Sequence, residues 1–152
     1  MGFVMRISTK GIYAIEAMTD LAIYAGDSVE SIKNIATRRQ LSEKYLEQIV
    51  SALRRSKLII STRGAGGGYR LAKSPEATTV FEILEAVENN MTFLDCLEDD
   101  ADCGMCSEKC STRPVWNTMW LKILEVLEGV TLADIVQKSK EIQKKKASEY
   151  YI

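Results

Sequence analysis

The chain has 152 residues, 46% hydrophobic and 27% charged, enough apolar material for one packed core and the balance of an ordinary globular domain. No run approaches the roughly 18 consecutive apolar residues of a membrane helix, and the opening MGFVMR is too short for the apolar part of a signal peptide, so a cytoplasmic protein with reduced thiols is expected. The net charge of -1 hides an asymmetry: residues 1–75 carry 12 Lys+Arg against 6 Asp+Glu and residues 76–152 carry 8 against 15, so a basic half suited to a polyanion is joined to an acidic half with another task.

Ser8 or Thr9 is placed to cap a first helix over about 10–24, with Ile15, Met18, Leu21, Ala22 and Ala25 as its buried stripe, ended by Gly26 and Asp27. A short helix over 31–38 follows, with Ile32, Ile35 and Ala36 inward. After a brief turn, Ser42 caps a helix running to about Ser56, whose apolar positions Leu46, Ile49, Val50 and Leu53 keep the spacing of one buried face. Glu43, Lys44, Glu47, Gln48, Ser51 and Arg55 are left outside. Two short helices across a tight turn, the second with a polar outer face, describe a helix-turn-helix.

Residues 58–61 and 69–71 read as two strands joined by RGAGGG, a hairpin that makes the unit winged. Tyr69 breaks the G-x-G-x-x-G spacing and no Gly-Lys-Ser/Thr follows, so dinucleotide and Walker readings fail. Arg63 and Arg70, flanking a glycine tip that includes Gly66 and Gly67, favour contact with phosphate or a groove. Thr79 and Glu82 form a capping box for a helix with Val80, Ile83, Leu84 and Val87 inward, fading at Asn89-Asn90. Pro114 starts another helix that stops at Gly129. Its apolar positions, Val115, Trp116, Met119, Trp120, Ile123, Leu124, Val126 and Leu127, make a face wider than one small domain can cover, so a two-fold homodimer through residues 114–128 is expected. Thr131 begins a last helix, and 144–152 is expected to fray. The fold class is therefore mainly α with a small β-hairpin. A winged helix-turn-helix DNA-binding domain spans 5–90, a cysteine-rich loop 91–113, and a dimerisation helix with the C-terminal helix 114–145.

All four cysteines, Cys96, Cys103, Cys106 and Cys110, fall in the stretch CLEDDADCGMCSEKC, a loop of about 15 residues, longer than connections usually run unless they are functional. Thiolates are soft ligands suited to iron-sulfur clusters, zinc and Cu(I), and a flexible loop can fold several around one centre. Structural zinc usually takes two close ligand pairs, whereas here one close pair has two outlying partners. The chain has no histidine, which removes the usual base for a catalytic cysteine, and no βαβ unit carries the C-x-x-C, so metal ligation ranks above redox thiols and no enzymatic activity is expected.

Ser8, Thr9, Lys10, Gly11, Tyr13 and Ala14, then Ser42 with YLEQ over 45–48, RGAGGGY over 63–69, and a cysteine loop followed by Trp116 together resemble the iron-sulfur-cluster regulators, the IscR-like winged-helix transcription factors. The resemblance runs from Met5 to about Val136 and implies a dimer bound to double-stranded, palindromic operator DNA, with a 2Fe-2S cluster governing promoter choice. Carried onto this chain, it places Ser42, Tyr45, Glu47 and Gln48 in the major groove and Arg63 on the wing in the minor groove. Lys44, Arg55, Gly66, Gly67 and Arg70 are expected as further DNA contacts beside them. The chemistry agrees: Gln reads adenine edges, Glu accepts from cytosine, and Arg suits a narrow minor groove. Cys96, Cys103 and Cys110 match the family's three cysteines, but Arg113 stands where the best-known member has a histidine ligand. Arginine cannot ligate, and Cys106 is the nearest replacement. A cluster-free relative that regulates cysteine metabolism with a protein partner is the alternative, though members of that branch commonly lack the cysteine trio. A zinc- or thiol-based sensor is another.

Overall fold

The Ser8 hydroxyl accepts a hydrogen bond from the Gly11 N–H at 3.0 Å and so opens α1, Thr9–Tyr24, the helix around which the rest is built. The computed structural model describes residues 7–89, 91–92, 97 and 110–149. Among these, α1 packs against α2 (Ile32–Arg39), α3 (Glu43–Arg55), α4 (Val80–Val87), α6 (Leu132–Glu149) and the strand β2 (Gly68–Leu71). A helix touched on so many sides buries more than one stripe. The expected positions Met18, Leu21 and Ala25 are buried, but Ile15 and Ala22 are only half-buried, and Ala14 and Ala17, whose small side chains let neighbouring helices approach, are fully enclosed.

The other helices follow their periodicity more closely. Leu46, Ile49, Val50 and Leu53 of α3 and Val80, Ile83, Leu84 and Val87 of α4 are all buried, as their spacing predicts. In α2, Ile35 and Ala36 are buried while Ile32 lies at the edge. Thr79 and Glu82 form the expected reciprocal box at the start of α4, and Lys73 reaches the same Glu82 carboxylate at 2.5 Å. That contact with Lys73 holds the Glu82 carboxyl below its ordinary value against the opposing effect of burial.

The hairpin pairs β1 (Ile59–Thr62) with β2 antiparallel, Ile59 opposite Leu71 and Thr62 opposite Gly68, one residue further along at its inner end than the sequence suggests. A single residue before α2 extends this sheet: Glu30 and Tyr69 exchange backbone hydrogen bonds of 2.8 Å each way. A Cβ on Gly68 would stand 2.5 Å from the Glu30 carbonyl oxygen, so glycine is needed for that extra strand to lie against the wing.

A 3-10 turn, Pro75–Ala77, leads into α4, whose entry is pinned to the α5–α6 corner by Val80 N–H to Val130 O (2.9 Å) and Leu132 N–H to Thr78 O (2.8 Å). α5, Arg113–Gly129, packs on α4. α6 is capped reciprocally, the Thr131 N–H and hydroxyl donating to Asp134 Oδ2 and the Asp134 N–H returning to the Thr131 hydroxyl. Over 144–149 the expected fraying does not occur, since α6 continues to Glu149; residues 150–152 of that expectation lie outside the described residues. The run KEIQKKKASE consists almost wholly of good helix formers, so these turns stay helical although their residues from Ile142 on are exposed. No described helix is long and apolar enough to cross a membrane.

Candidate nucleic-acid interface and cysteine loop

The turn between α2 and α3 is three residues long and is closed by a left-handed residue, Gln40 (φ 55°), with the Leu41 N–H returning to the Ala36 carbonyl at 2.9 Å. Ser42 then caps α3, its hydroxyl accepting from the Tyr45 N–H at 3.4 Å, so that Ser42 sets the direction of the helix besides standing at its exposed start. With the inner face fully occupied, Lys44, Glu47, Gln48 and Arg55 project to solvent, joined by Arg54, which the sequence reading left out. Tyr45 differs: it is half-buried and meets Tyr13 of α1 edge to face, ring centroids 5.8 Å apart. It anchors the start of α3 on α1 as well as standing beside the exposed face.

The glycines of the wing divide by physical cause. Gly64 has φ +114°, a conformation side chains avoid, so it makes the turn. A Cβ on Gly67 would lie 2.3 Å from the Thr62 carbonyl oxygen, which gives Gly67 a reason internal to the hairpin. Gly66 has open space around it and leaves the tip bare for an approaching partner. Arg63 is exposed beside that tip. Arg70 is half-buried at the base of the wing, opposite Ile60, with Nη1 3.5 Å from the Leu71 carbonyl, and it lines a cleft with Gly26, Asp27 and Lys73. Arg63 and Arg70 are therefore not equivalent flanks of one tip.

Behind this face lies a polar network absent from the sequence reading. Asp20 of α1 has 0% exposure, yet its carboxylate is fully bonded: Arg38 Nη2 donates to Oδ1 at 2.6 Å, Arg38 Nε to both oxygens at 3.2 and 3.1 Å, and Arg39 Nε to Oδ2 at 3.2 Å. Arg39 also bonds Glu16 at 2.6 Å, and Arg38 bonds Glu30 and stacks over the Tyr24 ring at 4.2 Å. The hydrogen bonds Arg38 donates to Asp20 hold it above its ordinary pKa. Burial works against the Glu30 charge, but hydrogen bonds from Asn34 and Arg38 outweigh it and keep that carboxyl below its usual value. A signal was present in the sequence: Asp20 interrupts the apolar run Ala17, Met18, Leu21, Glu16 stands one turn before it, and a dibasic pair closes α2.

Of the cysteine ligand candidates, Cys96, Cys103 and Cys106 lie outside the described residues. Cys110 stands just before α5, its Sγ 3.4 Å from the Thr112 hydroxyl. That contact, with the backbone N–H groups of Arg113 and Thr112, holds the thiol below its ordinary pKa, which favours the thiolate a metal requires. Arg113 is the first residue of α5.

α5 is apolar over half its circumference, and none of its residues is buried. Trp116, Trp120, Ile123, Leu124 and Leu127 are half-covered, while Val115 (54% exposed), Met119 (47%) and Val126 (63%) form a stripe open to solvent.

Known proteins resemble this chain over most of its length. The Rrf2 family, described as "Iron-dependent Transcriptional regulator", matches residues 7–138. The regulator IscR of Erwinia tasmaniensis is 35% identical over 132 residues, covering 87% of this chain and 79% of that one. Among solved structures, CymR, titled the global cysteine regulator of B. subtilis, superposes with a TM-score of 0.72 at 36% identity, covering 89% of this chain and 98% of that one. T. potens IscR gives 0.71 at 39% identity, covering 91% of each.

Proposed function

The chain belongs to the Rrf2 family of winged-helix transcriptional regulators, and on that premise we propose that it is a cytoplasmic homodimer that reads a palindromic operator and senses iron-sulfur cluster status through its cysteine loop. The observation that carries the DNA reading is the outer face of α3. Its inner face is fully packed, so Lys44, Glu47, Gln48, Arg54 and Arg55 have no role in the core and stand beside a wing that offers Arg63 and the bare Gly66. Ser42, Tyr45, Glu47 and Gln48 enter the major groove, and Arg63 and Gly66 approach the minor groove. Gly67 and Arg70 support the wing from within and at its base. The chain divides by task into a reading unit over 5–90, a sensing loop over 91–113 and an assembly unit over 114–145.

Electrostatic contact with phosphates makes affinity fall with salt, each contact adding about -0.9 to the log-log slope. Titration of operator duplex into the protein at several salt concentrations is expected to give a slope near about -4, with Arg55→Gln making it shallower. Binding that ignores salt would remove the DNA reading.

Four thiols and no histidine form a soft donor set that fits an iron-sulfur cluster, and Cys110, held toward its thiolate at the foot of α5, suits the role of ligand. Cys96, Cys103 and Cys110 are the proposed ligands, with Cys106 taking the place left by Arg113. A bound cluster would supply a charge that depends on oxidation and occupancy. The loop enters α5 through Cys110 and Thr112, so a change in how the thiols are held reaches the assembly helix directly. Anaerobically isolated protein is expected to show visible cluster absorption with matching iron and sulfide. Cys106→Ala should bleach it or make it labile, and unchanged absorption and stability in that variant would assign the fourth position elsewhere.

A second reading has its own support. Likeness to the B. subtilis cysteine regulator suits a cluster-free regulator of sulfur metabolism that works with a protein partner. The same elemental analysis separates the two: metal-free protein that still binds operator favours the second, and zinc without sulfide a zinc site.

A further inference from the structure

The wing is joined to the helix-turn-helix by a polar tie whose centre is the Glu30–Arg38 pair. On one side, the Glu30 backbone is hydrogen-bonded both ways to Tyr69 of β2, and Gly68 admits it at close range. On the other, Glu30 accepts from Asn34 Nδ2 at 2.9 Å and from Arg38, and Arg38 passes the connection to the enclosed Asp20 of α1. One residue thus belongs to the edge of the wing sheet by its main chain and to α2 by its side chain. The base of the wing is also held by packing, β1 on α3 and β2 on α1 with Ile59 and Leu71 at the core, whereas its tip, Arg63 to Gly66, is exposed.

We propose that Glu30 and Arg38 are positioning residues for DNA recognition: by fixing the wing against α2, they set where Arg63 arrives when α3 is seated in the major groove. Neither residue needs to touch DNA. The inference rests on the reading of Arg63 as a minor-groove contact. Its physical content is that a contact made by a pre-positioned group loses less freedom on binding than one made by a loosely hinged group, so releasing the tie weakens the wing contact and leaves the α3 contacts intact.

A double-mutant cycle on operator affinity tests this, with Glu30→Ala and Arg63→Ala made singly and together. Glu30 is the right member to remove, because Arg38 and Arg39 still satisfy the buried Asp20 without it. Arg63→Ala alone is expected to weaken binding about tenfold, and Glu30→Ala alone about fivefold. In the Arg63→Ala background, Glu30→Ala should add nothing beyond about twofold, and Glu30→Gln, which keeps an acceptor for Arg38, should recover most of the affinity in the wild-type background. Equal losses from Glu30→Ala in both backgrounds, or no loss in either, would overturn the proposal. If Arg63→Ala itself changes nothing, the minor-groove reading of the wing falls first and takes the inference with it, a result told apart because the failure sits in a different corner of the cycle. Amide exchange at Tyr69 gives an independent readout: faster exchange in Glu30→Ala at unchanged melting temperature is the signature of a released wing, which general destabilisation would not produce.

Discussion

Arg38→Ala is expected to lower the stability of the fold by about 3 to 5 kcal/mol, the range for breaking a buried ion pair by removing one partner. The reason lies in what it leaves behind. Three of the four hydrogen bonds to the enclosed Asp20 carboxylate come from Arg38, and only Arg39 Nε, at 3.2 Å, remains to face it. Asp20 has no exposed surface while Arg38 covers it, and water entering the space Arg38 vacates is a weaker partner than the guanidinium's charge-assisted donors. For a chain of this size that corresponds to roughly a 10 °C fall in melting temperature, measured at fixed protein concentration so that assembly does not shift the transition. The companion variant separates a charge effect from a packing effect. Asp20→Leu combined with Arg38→Met removes both members and should cost less than Arg38→Ala alone, because no uncompensated charge stays inside. A single substitution costing under about 0.5 kcal/mol would mean that Asp20 is satisfied some other way.

The same network shows where a sequence gives up its structure and where it does not. Every expected inward position of α3 and α4 is buried, with Ala52 added, because each helix presents one apolar stripe to one core, the condition under which periodicity translates directly into burial. α1 was legible as a helix but not in its packing: it is enclosed from several directions, so Ala14 and Ala17 matter for being small, and hydrophobicity alone ranks them below Ile15. Glu30 could not be placed from the sequence at all. A one-residue bridge has no period, and its partner Tyr69 lies across the chain from it. The glycine tip was legible as a hairpin, whereas the separate causes acting at Gly64, Gly66 and Gly67 needed backbone positions. For the recognition face, the outward positions of α3 followed from the pattern, but the half-burial of Tyr45 and Arg70 depends on α1 and on the cleft beside the wing. Helix propensity decided the end of α6 where the usual expectation of a loose terminus had pointed the other way.

The exposed stripe of α5 carries the second large effect. Met119 and Val126 lie seven residues apart, on the same side of the helix as Val115, and all three remain open to solvent in the single chain. Their neighbours Trp116, Trp120 and Ile123 are only half-covered, so an apolar surface of this breadth, on a helix that packs on α4 by its other side, is the surface through which the proposed homodimer is expected to form. Met119→Asp with Val126→Asp places two charges in that seam without disturbing any buried residue of the protomer, since α5 contributes none to the core. The expected result is a protomer in sedimentation with unchanged helical circular dichroism. Loss of the linkage between two reading units then removes their effective concentration at adjacent half-sites, and affinity for the full palindrome should fall about a thousandfold. Affinity for an isolated half-site should hardly move, because α3 and the wing keep their geometry within each protomer. That contrast is the decisive measurement. A variant that sediments as a protomer yet binds the full operator as tightly as before would detach dimerisation from DNA recognition, and one that remains dimeric would place the interface on another surface.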